Sequence, residues 1–539
     1  MQTKFLGFGK IALATALLFS QSLSAWALEN PIYIYHTNDV HCGVNDNIGF
    51  AKVAALKQQA LKITPHVVLV DAGDAIQGAP IGKFTDGQAV VKIMNAVGYD
   101  VLVPGNHEFD YGMDKFLAVN ANSNSGYFCA NLMDLRTGKQ VLPGYKLMTF
   151  EDTKVAFVGA TTPEASVTST PKFFQDEEGK WIYGFCDDSK GKKLYRQLQQ
   201  NINAARKEGA KYVFLVAHLG DNGVKKEWSS PQVAKKLKNL TAVIDGHSHE
   251  TFTRFELGKA SRVVAQTGTK LQNIGLVIIR PDGSLETRMD NYRVVNVTPD
   301  EAVGRLVNSE VNKIATVLAE KLGESKFRLC ADDPQTGKRI IRTQSCNLGD
   351  LIADSFRFAT GADVAVVGGG GLRKDINAGP ITHNTFMQTI PFGNMVTSKK
   401  VSGQKLLDSL EMGARKLPNE NGGFMHISGG SYTIDTAVPS SVEVDSKGAF
   451  IRVNGPYRVK DVIINGQPLD LKREYVVCST NFALKYGGDG MTMFNDCKVV
   501  QDETYSDFDA FSLYLKEKLG GIIGQEYANP YGQGRIKIK

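Results

Sequence analysis

The chain has 539 residues, 42% of them hydrophobic, and 62 Lys and Arg against 56 Asp and Glu give it a formal net charge of +6. That composition excludes an intrinsically disordered chain, a collagen-like one and a polytopic membrane protein, and at roughly 100 to 200 residues per domain the length allows about three domains or two large ones. The basic residues are dispersed with no run of five or more, so no nucleic-acid polymer is expected as a partner.

Residues 1–27 read as a secretory signal. Lys4 and Lys10 form a basic start, residues 11–19 an apolar core, and Ala25, Trp26 and Ala27 a small-x-small site that places cleavage before Leu28. The rival reading is a retained membrane helix, but the apolar stretch is short of the ~20 residues a span needs. No Cys follows the cleavage site, and the polar end of the chain, residues 534–539, lacks the tail of a lipid-anchor signal. The mature product is therefore expected to be exported, periplasmic or secreted, with no stable membrane anchor. Its cysteines are Cys42, Cys129, Cys186, Cys330, Cys346, Cys478 and Cys497. In an oxidising compartment some are expected to pair, with Cys330/Cys346 and Cys478/Cys497 as the sequence-near candidates, while connectivity stays open. No CxxC spacing supports a thiolate zinc site.

From residue 31 to about 295, short β-rich runs alternate with helical stretches. Residues 32–35, 66–70, 101–103, 155–158, 212–216 and 243–244 read as strands, and 50–62, 88–97 and 193–207 as helices, which predicts a layered α/β domain. Asp39, Asp74, Asn106, His218 and His247 each fall just past the carboxyl end of such a run, where open α/β sheets place their ligands. Residues 299–327 carry apolar residues at helical spacing up to Gly323 and predict a linker helix. Beyond it, helices are predicted at 346–360, 401–415 and 507–518 and strands at 365–367, 431–434 and 475–478, an α+β or α/β pattern.

Of nine histidines, five sit in short polar motifs behind strands. Asp39 and His41, two residues apart, can bring a carboxylate oxygen and an imidazole nitrogen to one cation. In the next motif Gly73 permits a turn and Asp74 can bridge two metals. Asn106, His107 and Asp110 follow in the third, then His218 alone, then His247 and His249. Singly, each motif is as well explained by a turn or a hydrogen-bonded histidine. Their order, each behind a strand, is far more specific.

On these motifs the sequence resembles the metallophosphoesterases, and within them the secreted bacterial 5′-nucleotidase family that includes UDP-sugar hydrolases, over essentially the whole mature chain. The resemblance implies a β-sandwich flanked by helices over 28–298, the linker helix over 299–327 and a smaller α+β nucleotide-binding domain over 328–539. It implies one divalent ion on Asp39, His41, Asp74 and His249 and a second on Asp74, Asn106, His218 and His247. Some members carry Gln in place of His249. Mixed nitrogen and oxygen donors suit Mn²⁺, Zn²⁺, Co²⁺ or Fe²⁺. His107, oriented by Asp110, is expected to stabilise phosphoryl oxygens or protonate the leaving oxygen.

In the C-terminal part, the run from Gly368 to Gly371 before Leu372 and Arg373 is similar to the family's NGGGIR-like motif; Pro391, Phe392 and Gly393 match PFG, and Asn481, Phe482 and residues 487–490 match NF…GGDG. The resemblance implies Phe392 and Phe482 stacking on a base, Arg342 and Arg373 on phosphate or carboxylate-like groups, and Asp489 on ribose hydroxyls. Two departures stand out: Gly368 replaces the family's Asn, and the stretch from Phe482 to Asp489 is one residue longer. The expected activity is hydrolysis of nucleoside 5′-monophosphates. Alternatives at the same metals are pyrophosphate cleavage in UDP-sugars or NAD and hydrolysis of 2′,3′-cyclic nucleotides. A nucleotide-capturing uptake protein would not need Asp74, Asn106 and His107. Because the two sets of residues lie on different domains, a hinge near 300–327 is expected.

Overall fold

The computed structural model describes residues 28–221, 225–256 and 262–539, so the expected signal segment lies outside the described residues. In the N-terminal half, β1 (Ile32–Thr37), β2 (Val67–Asp71), β3 (Val101–Leu102), β10 (Asn273–Ile279) and β11 (Leu285–Asn291) form one sheet in the order β11-β10-β1-β2-β3. β4 (Tyr145–Phe150), β5 (Thr153–Thr161), β6 (Tyr212–His218), β7 (Ala242–Ile244), β8 (Thr251–Glu256) and β9 (Arg262–Thr267) form a second in the order β8-β9-β7-β6-β5-β4. In the first sheet β1, β2 and β3 run parallel and β10 and β11 add on antiparallel beside β1; in the second β5, β6, β7 and β9 run parallel and antiparallel β4 and β8 close the edges.

Side-chain alternation turns these ribbons into a sandwich. Along β6, Phe214 and Val216, with Phe157 of the neighbouring β5, face the other sheet, where they meet Ile34 and Val70, while Val213 and Leu215 face outward under α3 (Lys192–Lys207). Both faces are therefore apolar, which is why these strands read as continuous hydrophobic runs. The other sheet is covered on its outer face by α1 (Phe50–Leu61) and α2 (Gln88–Val97), through Phe50, Val53, Val90 and Met94.

The linker expectation is corrected here. Asp300 caps α4 by accepting the Val303 N–H at 2.8 Å, but α4 spans only Glu301–Asn312, a separate turn covers Ala315–Ala319, and Lys321–Ser325 is a strand. Leu322 continues the helical spacing by position, yet the strand that carries it pairs with Gly379–Thr382.

In the C-terminal half β12 (Val364–Gly368), β13 (Met395–Ser402), β14 (Met425–Ser428), β15 (Glu474–Thr480) and β16 (Lys498–Ser506) form a sheet in the order β14-β12-β15-β13-β16. Ala365 and Val367 pack with α5 (Asn347–Thr360) and α7 (Asp507–Leu513) on one face; Val364 and Val366 pack with α6 (Gly403–Ala414) on the other. Val401 and Ser402, expected at the start of a helix, end β13 instead, and Ser402 caps α6. The expected disulfides are not formed: all seven cysteines are free thiols. Cys478 packs in the core on one face of the sheet and Cys497 against the core on the other, while the Cys330 thiol turns to the Arg328 carbonyl. No helix among the described residues is long and apolar enough to cross a membrane.

Candidate active site

The seven expected metal-binding residues come from loops at the carboxyl ends of β1, β2, β3, β6 and β7. Five of them, Asp39, His41, Asp74, His247 and His249, adopt positive φ, between 46° and 83°. Non-glycine residues there cost about 1–3 kcal/mol each, and such strain concentrates at functional sites. Two glycines let the loops close on one another. A Cβ on Gly73 would lie 2.8 Å from His218 Nδ1, and one on Gly105 would lie 2.2 Å from Asp74 Oδ1.

Asp39, His41, Asp74 and His249 each bring one ligand atom to within 4.8 Å of the others. His41 Nε2 lies 3.0 Å from His249 Nε2 and 3.7 Å from Asp74 Oδ2, and His249 Nε2 lies 3.3 Å from Asp39 Oδ1. On the other side of Asp74, His218 Nε2 is 3.2 Å from Oδ2, with the His247 ring centroid 5.2 Å from that of His218. His41 and His218 each direct Nδ1 to a backbone carbonyl, Gln77 at 3.0 Å and Ala72 at 2.7 Å, which turns Nε2 to the carboxylates. His218 Nε2 and Asn106 Oδ1 are buried and have no hydrogen-bond partner. An unpartnered imidazole nitrogen 3.2 Å from the Asp74 carboxylate and an unpartnered amide oxygen from the next loop make a mixed nitrogen and oxygen set that fits divalent cations on both sides of Asp74.

The local field agrees. Burial alone would raise the Asp74 carboxyl, but His218, His107 and His41 outweigh it and hold it well below the usual range. Burial, with Arg373 beside His41 and Arg339 beside His249, drives both imidazoles well below their ordinary value, the neutral form that a metal needs. Burial also opposes charge on His218, yet Asp74 and Asp39 prevail and push it up to about 10. The same field attracts a cation.

His107 is set apart from this donor set. Its Nδ1 lies 2.6 Å from Asp110 Oδ2, and Ser169 donates to the other Asp110 oxygen at 2.8 Å. Burial works against a charged ring, but Asp110 and then Asp74 raise its pKa. Beside it, Glu108 was not singled out by the sequence. Its buried carboxylate accepts the backbone N–H groups of Asp74, Ala75, Gly105 and Ile76 at 2.8, 2.7, 2.6 and 3.3 Å, and so ties the loop after β2 to the loop after β3.

These side chains open into a cavity of about 610 Å³ whose far wall belongs to the C-terminal half. Asp74, Asn106, His107, Asp110, His247 and His249 line one side; Arg342, Arg373, Phe392, Phe482 and Asp489 line the other, so all five expected C-terminal residues reach it. Arg373 Nη2 comes within 3.4 Å of His41 Nε2, and its guanidinium lies 5.8 Å over the Phe392 ring. The Phe482 ring rests on Gly488, where a Cβ would be 2.4 Å from it. A Cβ on Gly368 would stand 3.7 Å from Asp489 Oδ2, so the missing Asn leaves room beside that carboxylate. Burial raises the Asp489 carboxyl, against Arg415, Arg342 and Lys416. Arg339, Arg415, Lys416 and Glu164 also line the cavity and were not foreseen. For Arg339 the only signal was its position three residues before Arg342.

The calcineurin-like phosphoesterase family matches residues 32–251, and the 5′-nucleotidase C-terminal domain matches residues 326–496. A 5′-nucleotidase of Vibrio parahaemolyticus is 26% identical over 573 residues, covering 93% of this chain and 95% of that protein. The trifunctional nucleotide phosphoesterase protein YfkN of Bacillus subtilis is 28% identical over 94% of this chain, and this chain spans 34% of its length. Among solved structures, a 5′-nucleotidase precursor from Thermus thermophilus superposes with a TM-score of 0.78 at 22% identity, over 94% of this chain and 99% of that one, which supports the two-domain fold.

Proposed function

Residues 32–251 belong to the calcineurin-like phosphoesterases and residues 326–496 to the 5′-nucleotidase C-terminal domains, and from that membership we propose that this phosphate-ester hydrolase converts nucleoside 5′-monophosphates to nucleoside and phosphate with two divalent cations. One cation would be held by Asp39, His41, Asp74 and His249, the other by Asp74, Asn106, His218 and His247. Bound there, the pair would supply charge to phosphate oxygens and an acidified water as nucleophile.

The chain's own residues do the rest. His107, its Nδ1 hydrogen directed to Asp110, carries a proton at Nε2 and delivers it to the departing ribose oxygen or donates to a phosphoryl oxygen. Arg373 and Arg342 offset phosphate charge, and guanidinium groups do so with planar, directional donors. Phe392 and Phe482 hold the base, a contact worth ~1–3 kcal/mol in nucleotide-binding systems. Asp489 accepts from ribose hydroxyls. The observation that carries this reading is a single cavity lined by Asp74, Asn106 and His107 on one side and by Arg373, Phe392 and Phe482 on the other.

Phosphate release from AMP, UDP-glucose and NAD, measured with metal-stripped protein and after reloading with Mn²⁺, Zn²⁺, Co²⁺ or Fe²⁺, tests it. AMP hydrolysis that returns with metal is expected. Activity on UDP-glucose or NAD alone would replace the monoesterase reading, and no metal-dependent release from any of the three would end it. The signal-like residues 1–27 support export to the periplasm or the medium, and a mature N-terminus at Leu28 is the expected sequencing result.

A further inference from the structure

The chemistry above leaves three cations of the cavity unused, and one of them, Arg339, is paired with Glu420 at 3.0 Å. Arg415 and Lys416 follow α6 and line the same cavity as Asp489. Arg415 Nη1 donates to the Met412 carbonyl at 2.7 Å, and the Lys416 ammonium makes neither a hydrogen bond nor an ion pair with a described residue, although the Glu164 carboxylate acts on it through space. A Cβ on Gly423 would lie 3.3 Å from Asp489 Cβ and 3.8 Å from Arg415 Nη1, so the guanidinium and the carboxylate border the same glycine. Facing them across the cavity is Glu164 of the N-terminal half, whose carboxylate lies 3.5 Å from His247 Nε2.

Asp489 and Glu164 act on these two cations without forming an ion pair with either, and the cost of holding a cation away from water falls further when a ligand brings an anion into direct contact. The position of these two side chains says where that anion belongs. They flank Asp489, the carboxylate assigned above to the ribose hydroxyls, and Arg342 shares that flank. A phosphate on one secondary hydroxyl would meet Arg415 and Lys416, while the other hydroxyl stays free to donate to Asp489.

We propose that the cavity accepts nucleotides bearing a second phosphate on the 2′ or 3′ ribose oxygen, held by Arg415 and Lys416 while the 5′-phosphate lies at the metal-binding residues. The proposal rests on the 5′-nucleotidase reading above. The reaction keeps the same balance: water adds its oxygen to the 5′ phosphorus, the bond from phosphorus to the 5′ oxygen breaks, and that oxygen takes the proton from His107. The products are inorganic phosphate and a nucleoside 2′- or 3′-monophosphate.

The test compares kcat/KM of manganese-loaded full-length protein for adenosine 5′-monophosphate, adenosine 3′,5′-bisphosphate and adenosine 2′,5′-bisphosphate. At least one bisphosphate is expected to exceed the monophosphate by roughly tenfold, the size of one charge-assisted hydrogen bond, and the better of the two identifies the hydroxyl. Lys416→Gln should lower that ratio by roughly tenfold and Lys416→Arg should retain it, a comparison that separates lost charge from lost folding. Turnover of the monophosphate with neither bisphosphate preferred overturns the proposal and leaves the 5′-nucleotidase reading intact. No turnover of any of the three overturns both.

Discussion

Arg373, from the C-terminal half, holds Nη2 3.4 Å from Nε2 of His41, which belongs to the N-terminal cluster that could hold a metal ion. A phosphate at that cluster would lie under a cation supplied by the other domain. Arg373→Met is expected to lower kcat/KM by about 10²-fold, the scale of one lost charge-assisted contact in a shielded site, with metal content unchanged. Arg373→Lys should restore only part of the loss, because an ammonium lacks the planar fork. A Lys variant equal to wild type in steady-state kinetics would remove directional bonding from the account.

His107 is expected to act on the reaction without holding metal. His107→Ala should leave two bound ions by elemental analysis and reduce the maximal rate by ~10²-fold or more. Asp110→Asn should keep the ring in place through its 2.6 Å contact yet weaken the preference for a charged ring, giving a smaller loss. An unchanged rate in His107→Ala would take it out of the mechanism.

Glu108 carries no substrate contact, yet four backbone N–H groups converge on it. In Glu108→Gln an amide donor would oppose those donors. Metal affinity is expected to fall by about 10- to 100-fold, as it does when groups supporting metal ligands are changed, with about 1–3 kcal/mol lost in denaturant unfolding. Chelator competition giving wild-type affinity would show that the two loops hold their shape without it.

His426 lies buried beneath α5, where a Cβ on Gly349 would sit 2.1 Å from its Nδ1, and its Nε2 donates to the Ile341 carbonyl at 2.8 Å. Burial lowers its pKa from 6.5 to about 4, despite the carbonyl and with the help of Arg535. Above pH 6.5 the ring is neutral in both folded and unfolded chains and stability is whole. As pH falls from 6.5 toward 4, the unfolded chain binds a proton that the folded one refuses, so stability should fall by up to about 1.4 kcal/mol per pH unit. His36, held near 4 by burial, adds a like slope. Unfolding of metal-free protein at pH 7, 6 and 5 should show this trend, and His426→Phe should flatten it. Equal slopes in variant and wild type would contradict the assignment.

Lys447 reaches across the domain boundary to Asp187 at 3.0 Å and lies 4.6 Å over the Trp181 ring. If the halves must part during turnover, tying them here should stop it. Cysteines introduced at 187 and 447, joined by a short bis-maleimide in a Cys186→Ser background, are expected to abolish turnover while metal stays bound. Undiminished steady-state turnover of the cross-linked protein would refute a hinge.

Much of the candidate N-terminal site was legible in the sequence because each proposed ligand follows an apolar strand, and strand ends are where this architecture gathers its loops. Asp39, Asp74, His218 and His247 lie together at those strand ends, and Asn106 lines the same cavity. The linker misled because Leu318 and Leu322 keep a helical spacing, whereas pairing with Gly379–Thr382 draws Leu322 into a strand. Spacing reports a face, and only a neighbour decides which element presents it. Glu108 was hidden for a related reason: three of its four partners are backbone N–H groups more than thirty residues away, and backbone groups leave no mark in composition. Cys478 and Cys497 do not pair because nearness along the chain said nothing about which side of the C-terminal sheet each thiol occupies, and Cys330 and Cys346 share one core without pairing, the Cys330 thiol being turned to the Arg328 carbonyl.

A cavity walled by both halves makes its occupant a rivet. Any molecule that grips Arg373 and His107 together must be let go before either half can come away from the other, so its binding energy is added to the cohesion of the whole chain. Empty, the two halves are free to melt one after the other; filled, they are bound to a common fate, and two steps in a heating scan should merge into one.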